Sequence, residues 1–188
     1  MNSIFEAQKF ASICHVNQKR FCGEDFVYHP IRVMQRLQDL GVKKNILICA
    51  LLHDVLEDTH ASEAEVEKKF GSYVARVVES LSKEPREEYS HIICINKKSK
   101  ERLKDYCKKI QKACKKYPEV LLIKMSDQID NLKSINVFPE EKKKKQIHEI
   151  RDCFLPIYKE NERNIGKSIK VTYLCLFNEL KTLLELHI

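Results

Sequence analysis

The chain predicts an all-α fold built as a single helical bundle, and three observations carry that expectation. It holds only four Gly and five Pro in 188 residues, so chain breakers are sparse. Apolar residues recur at helical spacing while β-branched alternation is scarce, which argues against a sandwich or barrel. Helix-start signals stand ahead of several apolar runs. Ser62 with Glu65 three residues later resembles a capping box, and Pro30 and Pro118 sit where a first helical turn tolerates them.

The elements follow in order. A helix is expected over 3–15, with Ile4, Phe5, Phe10 and Ile13 among its apolar positions. A polar loop runs through Gly23, then Phe26-Val27-Tyr28 is expected to be extended. His29-Pro30 opens a helix over 30–39, ended by Gly41. From Lys43-Lys44 or Asn45 starts a buried helix, because Ile46-Leu47-Ile48-Cys49-Ala50-Leu51-Leu52 offers no polar face. A short helix reaches Phe70, Gly71 closes it, and an amphipathic helix spans 73–81. The stretch 82–89, with Pro85, is a loop near the functional pocket. A charged helix covers 97–115, one that begins at Pro118 runs to about 132, and two more lie near 140–160 and 168–186. No repeat or linker composition marks an internal boundary, so 1–188 reads as one domain.

Composition narrows the function classes. No apolar stretch approaches the roughly 20 residues a bilayer-spanning helix needs. The first eight residues lack the basic start and apolar middle of a signal peptide, so the expectation is a cytoplasmic protein without a membrane partner. The eight cysteines are scattered, with no Cys-x-x-Cys pair, and read as free thiols rather than zinc ligands or a redox motif. The formal net charge is +7, with cationic runs such as Lys97-Lys98 and Lys142-Lys143-Lys144-Lys145. These suit an anionic, phosphate-bearing partner. They lack the interleaved aromatics of a single-strand nucleic-acid surface, so nucleic acid is not the expected partner.

The chemistry concentrates at His53-Asp54-Val55-Leu56-Glu57-Asp58, at the end of the buried run. Ionisable groups there are costly unless they bind something. Glu57 follows His53 by four residues and Asp58 follows Asp54 by four, so all four can border one pocket. An imidazole and carboxylates suit a divalent ion, with spare carboxylates to handle a water proton.

Two further segments complete a pattern: Arg20-Phe21-Cys22-Gly23-Glu24-Asp25-Phe26-Val27-Tyr28-His29-Pro30, and Lys124-Met125-Ser126-Asp127-Gln128-Ile129-Asp130-Asn131-Leu132. Together with Ala50-Leu51-Leu52-His53-Asp54-Val55-Leu56-Glu57-Asp58-Thr59, Phe70-Gly71-Ser72-Tyr73-Val74 and Leu81-Ser82-Lys83, they resemble the HD superfamily of metal-dependent phosphohydrolases. More narrowly they resemble the hydrolase domain of RelA/SpoT-type proteins and the stand-alone small alarmone hydrolases, over about residues 5–135.

The resemblance implies an HD-domain bundle holding Mn²⁺, with Fe²⁺ or Zn²⁺ as alternatives, on His29, His53, Asp54 and Asp127. It implies Glu57 and Asp58 as the catalytic pair. Arg20, Lys124, Asn131 and Ser134 are the implied substrate contacts, Arg20 by stacking on a guanine base. The implied reaction removes the 3′-diphosphate of guanosine tetra- or pentaphosphate, giving GDP or GTP and pyrophosphate. A phosphatase acting on another nucleotide such as NADPH, or a nucleotide-sensing module without turnover, are the alternatives; a homo-oligomer is compatible with either. The chain departs from the family where Asp25-Phe26 stands for Pro-Tyr, Phe21 for a Lys, and Gln128 for a basic residue. The stretch between Asp58 and Asp127 is longer than in the small hydrolases.

Overall fold

Helix α3 (Lys44–Leu52) lies at the centre because it has no polar face to give to solvent: Ile46 through Leu52 are all buried. The computed structural model describes residues 3–187; residues 1, 2 and 188 of the expected domain lie outside the described residues. Around α3 pack α1 (Ile4–Cys14), α2 (Tyr28–Asp39), α6 (Ser72–Leu81) and α8 (Glu119–Lys133). Burying each large aliphatic side chain contributes about 1.5–3 kcal/mol. Helix α11 (Lys167–Glu185) covers the far side of α8 with Tyr173, Leu176, Phe177, Leu180 and Leu184. No strand occurs among the described residues, only an isolated bridge between Lys19 and Asp25. No helix among them is long and apolar enough to cross a membrane.

Local chemistry sets the boundaries. Ser3 and Glu6 form a full capping box at the start of α1, and Ser62 with Glu65 form another at α5 (Glu63–Phe70). Gly71 ends α5 and begins α6 at φ +88°, a left-handed backbone that a side chain would strain. The charged helix is α7 (Ile95–Ala113), reached through a 3₁₀ turn at Arg86–Tyr89. The eight cysteines are free, with Cys49 and Cys114 buried.

Three expectations need correction. Phe26-Val27-Tyr28 is not extended. Tyr28 N–H donates to Asp25 O (3.1 Å) and His29 N–H to Phe26 O (3.0 Å), so turn-type bonds lead straight into α2. The run through His53 is not one helix. α3 stops at Leu52, and a single turn, α4 (Val55–Asp58), restarts after Asp54, with Asp58 N–H on Asp54 O (2.9 Å). The expected helix near 140–160 is α9 (Glu140–His148), a π turn at Glu149–Phe154, and α10 (Leu155–Asn161). Pro156 has no N–H for the i→i−4 ladder, and the widened turn absorbs the defect.

Candidate metal centre

The break after Leu52 aims the site. His53 holds α-type angles as the cap of α3, and Asp54 stands between two helices, so neighbouring side chains reach the same space. Across from them α2 presents His29 from its first turn and α8 presents Asp127 from its middle. His29 Nε2 lies 3.1 Å from Asp127 Oδ1 and 3.6 Å from Asp54 Oδ2. His53 Nε2 lies 3.2 Å from Asp54 Oδ2 and 3.9 Å from Asp127 Oδ1. Ligand atoms of His29, His53 and Asp127 all fall within 4.8 Å of one another, and all three residues are buried. Asp54 is the half-open member, with 21% of its side chain exposed.

The tautomers suit a metal. His53 Nδ1 is 2.8 Å from Ala50 O, a carbonyl that only accepts, so Nδ1 carries the proton and the neutral ring's Nε2 keeps its lone pair. That Nε2 is buried without a hydrogen-bond partner. His29 Nδ1 is 2.7 Å from Asp130 Oδ2, which likewise leaves Nε2 free to ligate. Donors about 2.1 Å from one ion lie roughly 3–4 Å apart, the separations seen here. His29, His53 and Asp127 could together hold a divalent cation, with Asp54 at their edge. Without one, burial favours the neutral His53 ring, but the charges of Asp54 and Asp127 outweigh it and push its pKa up to about 9. Burial opposes ionisation of Asp127 as well, yet Lys124, His29 and His53 hold its carboxyl well below the usual range.

Behind the ligands stands a second set of contacts. Lys124 does not open onto the pocket: its Nζ donates to Asp127 Oδ2 (2.7 Å), and its side chain is 14% exposed. Asn131, one turn on, donates from Nδ2 to Asp127 Oδ1 (2.6 Å). Arg20 donates to Asn131 Oδ1 and Ser134 Oγ, both at 3.0 Å, and to Asp130 Oδ2 at 3.3 Å. Its side chain is only 6% exposed, so the guanidinium is clamped along α8. Gly23, at φ +86°, makes the tight turn that carries Arg20 there.

Asp130, Arg32 and Glu24 were not singled out from the sequence. Glu24 accepts from Arg32 Nη1 (2.8 Å to both oxygens), Arg32 Nε donates to Asp130 Oδ1 (2.7 Å), and Asp130 orients His29. Burial would raise the Asp130 carboxyl, but His29 and Arg32 bring it down to about 2. The available signal was spacing: Asp130 follows Asp127 by three, on the same face of α8.

At the open side, Glu57 accepts from Lys83 N–H (3.1 Å) and Arg102 Nη2 (3.3 Å), with Lys83 Nζ 3.8 Å away. The loop 82–89 therefore does border the pocket. Asp58 is exposed, yet its carboxyl is pushed up to about 6 by partial loss of water and by Asp54 and Glu57. Given that exposure, the two neighbouring charges are the firmer cause. Phe21 lies on Phe138, and Lys142 Nζ stands 4.1 Å from the Phe21 ring centroid. A cation thus reaches the place where the family pattern has a lysine at position 21.

Known proteins resemble this chain in fold and sequence. A solved structure described as a metazoan ortholog of SpoT that hydrolyses ppGpp superposes with TM-score 0.62 at 24% identity, covering 94% of each chain. A guanosine-3′,5′-bis(diphosphate) 3′-pyrophosphohydrolase of Aquifex aeolicus is 37% identical over 154 residues, 82% of this chain and 21% of that protein. A probable enzyme of the same name from Mycoplasma genitalium is 33% identical, over 71% of this chain and 18% of its own. The chain thus spans about a fifth of the length of the curated relatives it matches. The HD domain family matches residues 7–161, a span that includes His29, His53, Asp54 and Asp127, and the chain belongs to that family.

Proposed function

We propose that the chain is a metal-dependent phosphohydrolase that removes the 3′-diphosphate of guanosine tetra- or pentaphosphate. The observation that carries this is the buried group of His29, His53 and Asp127, with both imidazoles presenting Nε2 inward. The name of the Aquifex aeolicus relative supports the choice of substrate. Two imidazoles with two carboxylates favour Mn²⁺ or Fe²⁺ over softer ions.

His29, His53, Asp54 and Asp127 would hold the metal, which would supply a Lewis acid for a phosphoryl oxygen and for water. Asp130 and Ala50 O fix the two imidazoles, and Lys124 and Asn131 fix Asp127. Water attacks the phosphorus attached to O3′. The P–O3′ bond breaks, and pyrophosphate and the 3′-hydroxyl nucleotide leave. Asp58, with Glu57 behind it, takes the water proton and returns a proton to the departing O3′. Glu57 is held for this by Lys83 and Arg102. Arg20, Asn131, Ser134 and Lys142 border the nucleotide. Residues 1–188 act as one domain in this reading, supported by the packing of α11 on the helix that carries Asp127.

The test is product analysis by anion-exchange chromatography after Mn²⁺ loading. Guanosine tetraphosphate, NADPH and common nucleotides are offered to the protein and to Asp54→Ala and Glu57→Gln variants. Pyrophosphate and GDP, lost in both variants, are expected. Phosphate released from NADPH alone would replace the substrate. No turnover with metal bound would refute hydrolysis.

A further inference from the structure

A concavity outside the group of His29, His53 and Asp127 shares Lys83 and Arg102 with the surroundings of Glu57. It is lined by Lys83, Arg86, Lys98, Arg102 and Lys145, with one carboxylate, Glu149. On α7 (Ile95–Ala113), Lys104 pairs with Glu101, Lys108 with Asp105, and Lys109 with Glu79 and Glu84, while Lys97, Lys100 and Lys112 stand without a carboxylate partner among the described residues. Among the described residues Arg86 and Lys98 have no carboxylate within ion-pair reach, and Glu149 is 3.8 Å from Lys145. Lys83 and Arg102 already face Glu57 and Lys145 faces Glu149, so Arg86 and Lys98 are the two cations of this space left for an added anion.

The start of α7 borders the same space, and like the starts of α3 and α11 it carries lysine without a side-chain cap or an acid. Ile95, Lys98 and Ser99, from its first two turns, line the same concavity. This 19-residue helix has no side-chain cap and no acid in its first turn. Lys97 and Lys98 sit there instead, against the positive end of the helix dipole. Free N–H groups and misplaced lysines at one helix start both call for a negative ligand. The cavity, ≈ 80 Å³, falls well below the ~300–1,000 Å³ of sites that enclose drug-sized molecules. It has room for a phosphate or pyrophosphate group.

We infer that this concavity is a second anion site, taking a phosphate or pyrophosphate group through Arg86, Lys98 and the start of α7, and separate from the metal centre. Lys83 and Arg102 belong to both places, since each also reaches Glu57. An anion in the concavity therefore competes with Glu57 for these two cations.

The test is titration of the metal-free protein with inorganic pyrophosphate, followed by amide chemical shifts. Expected are shifts at residues 95–103 and 86, and affinity about tenfold weaker in Arg86→Ala/Lys98→Ala. The charge-conserving Arg86→Lys/Lys98→Arg protein should bind nearly as the parent does, and circular dichroism checks that both variants fold. No shifts at 95–103, or equal affinity in the alanine variant, would overturn the site. Shifts confined to the surroundings of His29 and His53 would overturn it as well, while leaving the hydrolase reading intact.

Discussion

Replacing Lys124 with Met should destabilise the metal-free protein, and the metal should then restore more than it adds to the parent. Lys124 and Asp127 form a buried pair at 2.7 Å with side chains 14% and 8% exposed. Removing one partner of such a pair costs about 3–5 kcal/mol, because the other charge stays buried. Asp127 keeps His29 at 3.1 Å and Asn131 at 2.6 Å, so the lower end applies, about 3 kcal/mol. For a chain of this size each kcal/mol moves Tm by roughly 2–4 °C, so the expected fall is ~6–12 °C in chelator. Adding Asp127→Asn to Lys124→Met removes the stranded charge and should recover most of that loss. Divalent metal brings positive charge to Asp127, so its stabilising shift should be larger in the single variant than in the parent. Circular dichroism melts with and without Mn²⁺ read all of this. A drop under about 2 °C, or a double variant no better than the single, would refute the argument.

Asp130→Asn loosens the anchor of His29 and should weaken metal affinity about 10–100-fold, read by competition with a chelating dye. In metal-free protein the His53 pKa is raised from 6.5 to about 9. Its contribution to stability is then complete below pH 6.5 and is lost as pH rises through about 9. Metal needs the neutral ring, so affinity should rise between pH 7 and 9 by about tenfold per unit for each proton displaced, with protons released in calorimetry. A flat affinity would contradict this. Lys142→Ala should raise KM about 5-fold with kcat nearly unchanged, as expected for a surface cation worth ~1 kcal/mol in binding.

Much of this protein was legible in the order of its residues. The run 46–52 could only be a buried helix, because seven apolar residues in a row leave no face for water. Ser62-Glu65 marked a helix start, and Gly71 a helix end, through chemistry that acts within a few residues. The motif spacing singled out His29, His53 and Asp127, which the fold brings together, and Asp54, which it places beside the two imidazoles. Tertiary structure decided what those residues face. The sequence did not show that α3 ends at Leu52 and that a separate turn restarts after Asp54. Lys124 looked like a cation waiting for a substrate, and only the fold shows it buried against Asp127. The chain from Glu24 through Arg32 and Asp130 to His29 joins a loop and two helices about a hundred residues apart. Local sequence dictates helices and their ends because those bonds form within a turn. It does not dictate long-range ion pairs, whose partners are chosen only when the helices pack.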